Sequence, residues 1–449
     1  MREGTFRSYQ PDQPYLLPPR LDEWLPDDHL VYFVRDVVES LDLKAIYSDY
    51  QLGEGGRPPY EPRMMVALVL YAYAVGVFSS RKIERACWES VPFRVLSVDQ
   101  HPDHATIAAF RKRHLKELGL LFNQVLKLCQ RAGLVKLGDV ALDSTKVKAN
   151  ASKHKAMSYG RMLKSELQLK DEIAALLKRA QHEDEEEDER QRRKGKDEQL
   201  PEELRRRQTR LAKIREAKAA LEAEAQEKAE EEARRKGGDP GAPSAQGHGE
   251  AKPAEKAQRN FTDPQSRIMV DKSSNSFVQA YNCQAAVDGK AQVIVAAAVT
   301  QETNDSRQLH PMLERLKANV RGKLPRRLTA DSGYYNGEHV QSFEKKVDLY
   351  IATEQFRHGE RVPPPRGRIP IGLSKKQLMG RKVRSAQGQR IYGKRKQIVE
   401  PVFGQIKEAR RFRQFLLRGL QNVHGEWQMV CTTHNLLKLF RSGWRCSEA

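Results

Sequence analysis

Three carboxylates of this 449-residue chain occupy settings that suit metal chemistry. Asp143 lies in an apolar stretch that predicts a buried strand, Asp331 ends a second short apolar strand, and Glu400 lies inside the most basic stretch of the chain. Clustered carboxylates bind hard cations such as Mg²⁺ or Mn²⁺, and open α/β sheets build their sites at strand ends. Each residue alone also has a structural explanation: Asp143 pairing with Lys146 or Lys148, Asp331 capping the following turn, and Glu400 in a surface ion pair.

The third carboxylate has the more informative surroundings. On a helix, Glu400 shares its side with Gly404, Lys407 and Arg411. Apolar residues fall on the other side, which would face the core: Val399, Val402, Phe403 and Ile406. An acid among bases suits a site where a metal ion meets phosphate. Pro401 either opens this helix or kinks it.

The net charge points to a polyanionic partner. The chain carries 79 Lys and Arg against 59 Asp and Glu, a formal net charge of +20. Residues 357–418 hold 18 basic and three acidic residues, so this stretch alone contributes +15. Solubility needs no such bias of sign, whereas nucleic acid or an acidic membrane surface would match it.

Composition excludes several classes of protein. The five cysteines form no CxxC pair, which argues against a disulfide scaffold and a structural zinc finger and favours reduced thiols. The longest apolar run, residues 64–78, is shorter than the ~20 residues of a membrane span. The first residues lack the apolar core of a signal peptide. We therefore expect a cytoplasmic protein with no membrane partner.

Residues 1–135 are expected to form an N-terminal helical domain. Pro62 can open one helix and Asp103 can cap another. The helix after Asp103 ends in three consecutive bases, Arg111, Lys112 and Arg113. Either a helix-turn-helix-like DNA-binding unit or an ordinary helical bundle with a basic exposed face fits this pattern.

A charged insertion divides the rest of the chain. Residues 136–154 hold the first strand, and residues 155–258 are low in complexity. Two apolar stripes predict an antiparallel helical hairpin joined around the acidic run 183–189, followed by a flexible linker over residues 237–253. The stripes are Leu163, Leu167, Ile173, Leu176 and Leu177 on the first helix, and Leu204, Leu211, Ile214 and Leu221 on the second. This arm would serve self-association or DNA contact, or it would be a solvated hairpin without function.

Residues 259–449 have an α/β pattern. Two strands joined around residues 288–289 predict a hairpin, followed by a helix capped by Asn304 or Asp305. A short strand ends at Asp331, and further strands and helices follow. The fold class is therefore mixed α+β, with an N-terminal helical domain and a mixed sheet flanked by helices.

Six blocks together resemble the DDE transposases of bacterial insertion sequences, which have a ribonuclease-H-like catalytic domain. The first block is VALDSTKVKAN, residues 140–150, and the fifth is VEPVFGQIK, residues 399–407. The other blocks are TDPQSRIM (262–269), YNCQAAVD (281–288), TADSGYY (329–335) and HNL (434–436). With the helical N-terminal region they cover most of the chain apart from the charged insertion.

The resemblance implies a catalytic triad of Asp143, Asp331 and Glu400 that binds two Mg²⁺ or Mn²⁺ ions. Water would first attack the phosphodiester at the end of the element, and the freed 3′-hydroxyl would then attack target DNA. The protein would supply geometry and charge stabilisation without a covalent intermediate.

The family's Tyr-Arg-Glu-Lys signature would place its tyrosine on Tyr392, its glutamate on Glu400 and its lysine on Lys407. Its arginine would stand four positions before the glutamate. This chain has Lys396 at that position and Arg395 beside it, and either cation can hold phosphate.

These features predict a metal-dependent DNA transposase that acts at the terminal inverted repeats of an insertion sequence. Lys407, Arg411 and neighbouring bases would hold DNA phosphates, and the N-terminal helices would help to bind the repeats. Pairing of two ends implies at least a homodimer on DNA, in the bacterial cytoplasm at the nucleoid. Two alternatives remain: an inactivated transposase that binds DNA as a repressor, and a metal-dependent hydrolase of small phosphate esters. The extended basic segment disfavours the hydrolase.

Overall fold

The computed structural model describes residues 20–50, 58–189, 199–235, 252–271, 276–354 and 363–446. The expected linker lies outside these ranges as far as residue 251, and so do residues 190–198. An all-helical region precedes a mixed sheet flanked by helices, which is the mixed α+β fold that the sequence predicts. No helix in these ranges is long and apolar enough to cross a membrane.

Seven helices precede the first strand in the described ranges. They are α1 (Leu30–Ser40), α2 (Lys44–Tyr47), α3 (Pro62–Ala74), α4 (Ser80–Glu89), α5 (Val91–Ser97), α6 (His104–Arg113) and α7 (Leu115–Arg131). Pro62 opens α3, and Asp103 caps α6 by accepting a hydrogen bond from the Thr106 amide at 2.8 Å, so both sequence signals are confirmed. Every residue of α3 from Met65 to Ala74 is buried, which places this helix at the centre of the bundle.

The strands form one main sheet and a small ribbon. They are β1 (Asp139–Lys148), β2 (Ala156–Ser158), β3 (Gln258–Asn260), β4 (Arg267–Asp271), β5 (Ser276–Asp288), β6 (Ile294–Thr300), β7 (Arg327–Ala330) and β8 (Asp348–Ile351). The main sheet has the order β6-β5-β1-β7-β8, with β4 also paired to β5, and β2 pairs with β3. β1 is antiparallel to β5 and parallel to β7, and β7 is parallel to β8. This topology is consistent with a ribonuclease-H-like fold.

Five helices accompany the sheet after the arm. They are α10 (Leu309–Asn319), α11 (Gly337–Phe343), α12 (Lys375–Arg384), α13 (Ala386–Gly404) and α14 (Leu420–Arg441). α14 packs between β6 and α7. Asn435 of α14 fastens it to the edge strand, because its side chain accepts from the Ile294 amide at 2.8 Å and donates to the Ile294 carbonyl at 2.9 Å.

The register of the sheet sets the position of the two aspartates. In the parallel pair of β1 and β7, Leu142 lies opposite Ala330. The next residue on each strand, Asp143 and Asp331, therefore lies at the same level of the sheet. β6 runs parallel to β1, because both strands are antiparallel to β5, so the residues after β6 emerge at this same end.

The predicted arm is an antiparallel hairpin of α8 (Tyr159–Glu189) and α9 (Gln199–Arg235). A core separate from that of the sheet holds its helices together. That core contains Tyr159, Met162, Leu169, Leu211, Ile214, Ala217 and Leu221. The second predicted stripe is confirmed at three of its four positions, because Leu211, Ile214 and Leu221 are buried.

The first predicted stripe is confirmed at Leu176, which is buried, and at Ile173, which packs against this core, but it is wrong at its other three positions. Leu163, Leu167 and Leu177 are exposed, and Met162 and Leu169 face α9 instead. The buried row also contains a charged residue, Glu166, whose carboxylate accepts from Lys218 (2.9 Å) and Arg215 (3.2 Å) of α9. A pattern of apolar residues cannot predict a buried ion pair of this kind, because the buried position holds a charged residue. The acidic run 183–189 continues α8 and does not form the turn.

A buried network of polar side chains joins the N-terminal helices to the part of the chain that contains the sheet. Glu426 of α14 is fully buried, and its carboxylate accepts hydrogen bonds from the Tyr73 hydroxyl and from the Leu416 and Leu417 amides, each at 3.1 Å. The Tyr73 hydroxyl in turn accepts from Arg111 at 3.2 Å. Three elements distant in sequence thus share one network, which makes the interface specific as well as apolar.

We expect Glu426→Gln to destabilise the protein by about 1–3 kcal/mol, because an amide cannot accept from all three donors and would leave a buried group unsatisfied. Urea unfolding measures the change. Glu230→Gln, at an exposed position of α9, is the matched control and should leave the midpoint unchanged. Equal stability of the Glu426 variant and the wild type would show that the network does not stabilise the interface.

We also expect the sheet to fold without the outer arm, because the arm has its own core. Replacing residues 170–210 by a short Gly-Ser linker should move the thermal midpoint of the remaining protein by no more than about 2–4 °C. A shift of this size corresponds to a change of ~1 kcal/mol in the free energy of unfolding. Calorimetry measures this midpoint. Global unfolding of the shortened protein would mean that the outer arm supports the sheet.

Candidate active site

Asp143 is the central carboxylate of the candidate site. Its side chain on β1 is 17% exposed and accepts hydrogen bonds from the Ser144 amide (2.8 Å) and from Arg395 (2.6 Å). Asp331 follows β7 and accepts from the Gly333 amide at 3.0 Å, which caps the turn. Both aspartates line one cavity of about 650 Å³, so the structure brings these two predicted residues together.

A third carboxylate, Asp305, lies in the same cavity. A Cβ added at Gly333 would lie 3.2 Å from Asp331 Oδ1 and 3.7 Å from Asp305 Oδ2, so the two carboxylates flank this glycine. Asp305 Oδ2 accepts from the Ser144 hydroxyl at 2.8 Å. The expected helix cap at Asn304 or Asp305 is wrong, because α10 begins only at Leu309 and Asp305 instead faces β1.

Buried polar side chains of β5 hold Asp305 in place. Its Oδ1 accepts from Asn282 (2.7 Å) and Gln284 (2.6 Å). Gln284 also accepts a hydrogen bond from the hydroxyl of Tyr334. Tyr334 is fully buried and follows Asp331 by three residues. These contacts make a rigid floor beneath the carboxylates, so the site is organised without a ligand.

The electrostatics of this cavity favour a cation. Burial raises the pKa of Asp143 to about 6, because desolvation disfavours the charged carboxylate. Arg395 lowers this pKa, whereas the negative charges of Asp331 and Asp305 raise it. The carboxylates therefore carry more negative charge than Arg395 balances.

One continuous helix, α13, carries the residues of the predicted signature. Pro401 lies inside α13 and does not open it. Its missing N–H would have donated to the carbonyl of Gln397. That carbonyl accepts instead from the Gln292 side chain at 2.9 Å, so the helix continues without losing this hydrogen bond.

Arg395 is the signature residue that reaches the site. Its side chain is 11% exposed, and it donates to Asp143 while its guanidinium lies 5.7 Å from the ring centre of Tyr392. Lys396, the position that the signature spacing selects for the cation, is exposed. The contact with the carboxylate is therefore made by the residue one position earlier.

Glu400 lies apart from the two aspartates. Its side chain is exposed, does not line their cavity, and forms no hydrogen bond or ion pair with another described residue. It belongs to the helix that packs across β1, five residues after Arg395. The structure thus brings two of the three predicted carboxylates together and places the third on the adjoining helix.

The basic residues after Glu400 do not share one helical face. A π-helical turn, Gln405–Ala409, follows α13 and changes the helical phase, so the expected helix over residues 400–411 is wrong at its end. Lys407 lines the aspartate cavity, and burial lowers the pKa of its ammonium group. Arg411 is exposed outside the helix, whereas Arg410 is buried and donates to Thr433 at 2.7 Å.

The three bases of α6 have different environments. Arg111 is buried and donates to the Phe78 carbonyl and the Ser80 hydroxyl, each at 2.7 Å, so its guanidinium is used inside the protein. Lys112 and Arg113 are exposed. Arg113 lies over the Tyr50 ring, with 5.1 Å to the ring centre.

Asp305 is the site residue that the sequence analysis missed. The predicted hairpin makes β6 antiparallel to β5, but the residues after β6 come to lie beside Asp143 only because β5 pairs with β1, a long-range contact that the hairpin signal does not contain. In the described residues, no group of three or more His, Cys, Asp or Glu side chains has an arrangement that could hold a metal ion.

Two family models match the chain. One, described as "Transposase domain (DUF772)", matches residues 19–113, the helical N-terminal region. The other, described as "Transposase DDE domain", matches residues 245–436, which include Asp331 and Glu400 but not β1 with Asp143. No curated protein and no solved structure matches the chain. Both models describe transposases and they fall on the two ends of one continuous fold, so the chain belongs to the DDE transposases of the insertion-sequence type.

Proposed function

We propose that this transposase cleaves and joins DNA at the terminal inverted repeats of its element by two-metal phosphodiester chemistry. The observation that carries the proposal is the pair of carboxylates, Asp143 and Asp331, at adjacent parallel strands in one cavity with Lys407. Carboxylate oxygens beside an ammonium group suit a phosphodiester that meets a divalent cation.

Asp143 and Asp331 supply the oxygen ligands that a hard cation prefers. Asp143 is a buried carboxylate whose pKa is raised to about 6, and a divalent ion would relieve the repulsion from Asp331 that contributes to this shift. Asp143, Asp331 and Glu400 would hold Mg²⁺ or Mn²⁺, which prefer oxygen ligands. When bound, the two ions would activate the attacking oxygen and stabilise the leaving oxygen. Glu400 is included because the family places its third acid there.

Protein side chains have separate tasks in the proposed reaction. Arg395 orients Asp143 through its hydrogen bond, and Ser144 links Asp143 to Asp305. Lys407 would hold a phosphate oxygen next to the aspartates. In the first step, a water oxygen bonds to phosphorus and the 3′-oxygen of the element end leaves as a hydroxyl. In the second step, that 3′-hydroxyl bonds to a phosphorus of target DNA and loses its proton, while the bond from this phosphorus to the target's own 3′-oxygen breaks and that oxygen leaves as a hydroxyl. Both element ends must meet for this, so we propose at least a dimer on DNA, acting in the cytoplasm at the nucleoid.

An inactivated transposase that only binds DNA is the main alternative. It would have the same basic surfaces and would not need the aspartate pair. Cleavage of end-bearing DNA with Mg²⁺ or Mn²⁺ distinguishes the two, because the alternative predicts binding without cleavage. The small-ester hydrolase is less suitable, since residues 357–418 carry a net charge of +15 that a small substrate does not require.

We expect Asp143→Asn, Asp331→Asn and Glu400→Gln each to reduce strand cleavage below detection while leaving DNA binding intact. Each change removes a ligand charge, and the losses should not add, because the residues act as one unit. Gel assays of an inverted-repeat duplex measure both properties. Glu408→Gln, at an exposed position on the following turn, is the control for Glu400.

Near-normal cleavage by one of the three variants would remove that residue from the site. For Glu400 the comparison with Asp305→Asn decides further. If Glu400→Gln cleaves normally and Asp305→Asn does not, the third acid is the one that already lies in the cavity.

We expect Lys407→Gln to reduce cleavage by about 10²–10³-fold, the usual loss on removing one positioned charge donor, with a much smaller effect on DNA binding. The reason is that Lys407 lines the aspartate cavity. Arg411→Gln, at an exposed position, should weaken binding and lower its salt dependence by about 0.9 in slope without a comparable effect on cleavage. The opposite pattern for the two variants would place Lys407 on the outer DNA path.

A further inference from the structure

A second cavity, of about 720 Å³, lies at the amino end of β1, whereas Asp143 is in the middle of that strand. It is formed where α7 ends, where the chain enters β1 near Leu137, and where residues 321–326 lead into β7. β1 and β7 are parallel, so this is the amino end of both strands. Asp143 follows Leu137 by six positions, and six steps along an extended strand span about 20 Å.

Seven basic side chains line this cavity, and no acidic residue does. Lys127, Arg131 and Lys136 come from α7 and the loop that follows it. All three are exposed, and none forms an ion pair with another described residue. This half of the cavity therefore has positive charge that no described neighbour neutralises.

The other half of the cavity has the same character. Arg321, Lys323 and Arg326 come from the connection between α10 and β7, and Lys346 precedes β8. They too are exposed and without an ion-pair partner among the described residues. The carboxyl-terminal ends of α7 and α10 contribute about −0.5 charge each, which leaves the cavity strongly positive.

The loop that carries Lys136 is held rigidly. Asp288 is buried behind it and accepts from the amides of Leu137 (2.7 Å), Lys136 (3.2 Å) and Lys290 (2.9 Å). Leu137 has a left-handed backbone with φ of 54°, a conformation that costs about 1–3 kcal/mol outside glycine. Since Asp288 is occupied by these amides and faces away from solvent, the loop presents its bases in a fixed position.

We propose that this basic cavity binds the phosphate backbone of DNA away from the scissile bond. The inference rests on the proposed function, because it assumes DNA as the partner. A single phosphate could not neutralise seven separate cations, whereas duplex DNA has one negative charge per ~1.7 Å of its axis. A duplex that reaches both this cavity and the aspartates spans at least ~6 base pairs. These contacts fix the register of the DNA and carry no sequence information.

The test compares two double variants of the full chain by their salt-dependent binding to inverted-repeat duplex. Lys136→Gln with Lys323→Gln removes one cation from each half of the cavity. Lys164→Gln with Lys213→Gln removes two exposed cations of the helical arm that form no ion pair with another described residue, with the same change in charge. We expect the cavity variant to lower the slope of log K against log salt by about 1.8. Between 50 and 200 mM salt, its loss of affinity should be about 12-fold smaller than that of the wild type.

The outcomes separate this inference from the proposed function. If the wild type binds the duplex and the cavity variant keeps the wild-type slope, or if the control loses as much, the cavity is not a DNA site and the proposed function stands. If the wild type fails to bind DNA, the proposed function fails. A further experiment measures how much inorganic triphosphate raises the thermal midpoint of each protein. If only the cavity variant loses this rise while its salt slope of DNA binding is unchanged, the cavity binds a small polyanion and the proposal is overturned.

Discussion

The parallel pairing of β1 with β7 is the constraint on which the site depends. It places Leu142 opposite Ala330, so that the carboxylates of Asp143 and Asp331 meet although 187 residues of chain separate them. A register shift of one residue would turn one aspartate to the other face of the sheet. The arm is inserted after β1, but its ends return at the β2–β3 ribbon, so it does not disturb this register.

Burial of Asp143 is unfavourable by itself, and the surrounding contacts explain how it is tolerated. A charged carboxylate that loses water needs a partner, and Arg395 supplies one from α13 at 2.6 Å. Arg395 is itself nearly buried, so each group stabilises the charged form of the other. α13 also stays continuous past Pro401, where the Gln292 side chain donates to the carbonyl that Pro401 leaves free. The sheet and this helix therefore determine the site together.

Local sequence patterns predicted much of this fold. The β5–β6 hairpin, the strand that ends at Ala330 and the two-helix arm follow from alternation, turn residues and apolar stripes, which are properties of neighbouring residues. Asp305 and the burial of Arg111 and Arg410 could not be found in this way. Each depends on a partner far away in the chain, such as Gln284 for Asp305, or Tyr73 for Arg111. A run of basic residues predicts a positive charge, but it does not show which of these residues will be buried in the core.

The sign of the charge changes along the sheet. Midway along β1 the carboxylates of Asp143, Asp331 and Asp305 share one cavity, and at the amino end of the strand seven bases line a cavity without an acid. Charges of opposite sign held ~20 Å apart by a strand cannot neutralise each other, because that distance exceeds the Debye length of ~8 Å at physiological salt. The carboxylate cavity therefore keeps its negative electrostatic potential and the basic cavity keeps its positive one. In the proposed function, a polyanion long enough to reach both cavities would be held at the basic one while its phosphodiester lies beside the aspartates, and binding and cleavage would then depend on different residues.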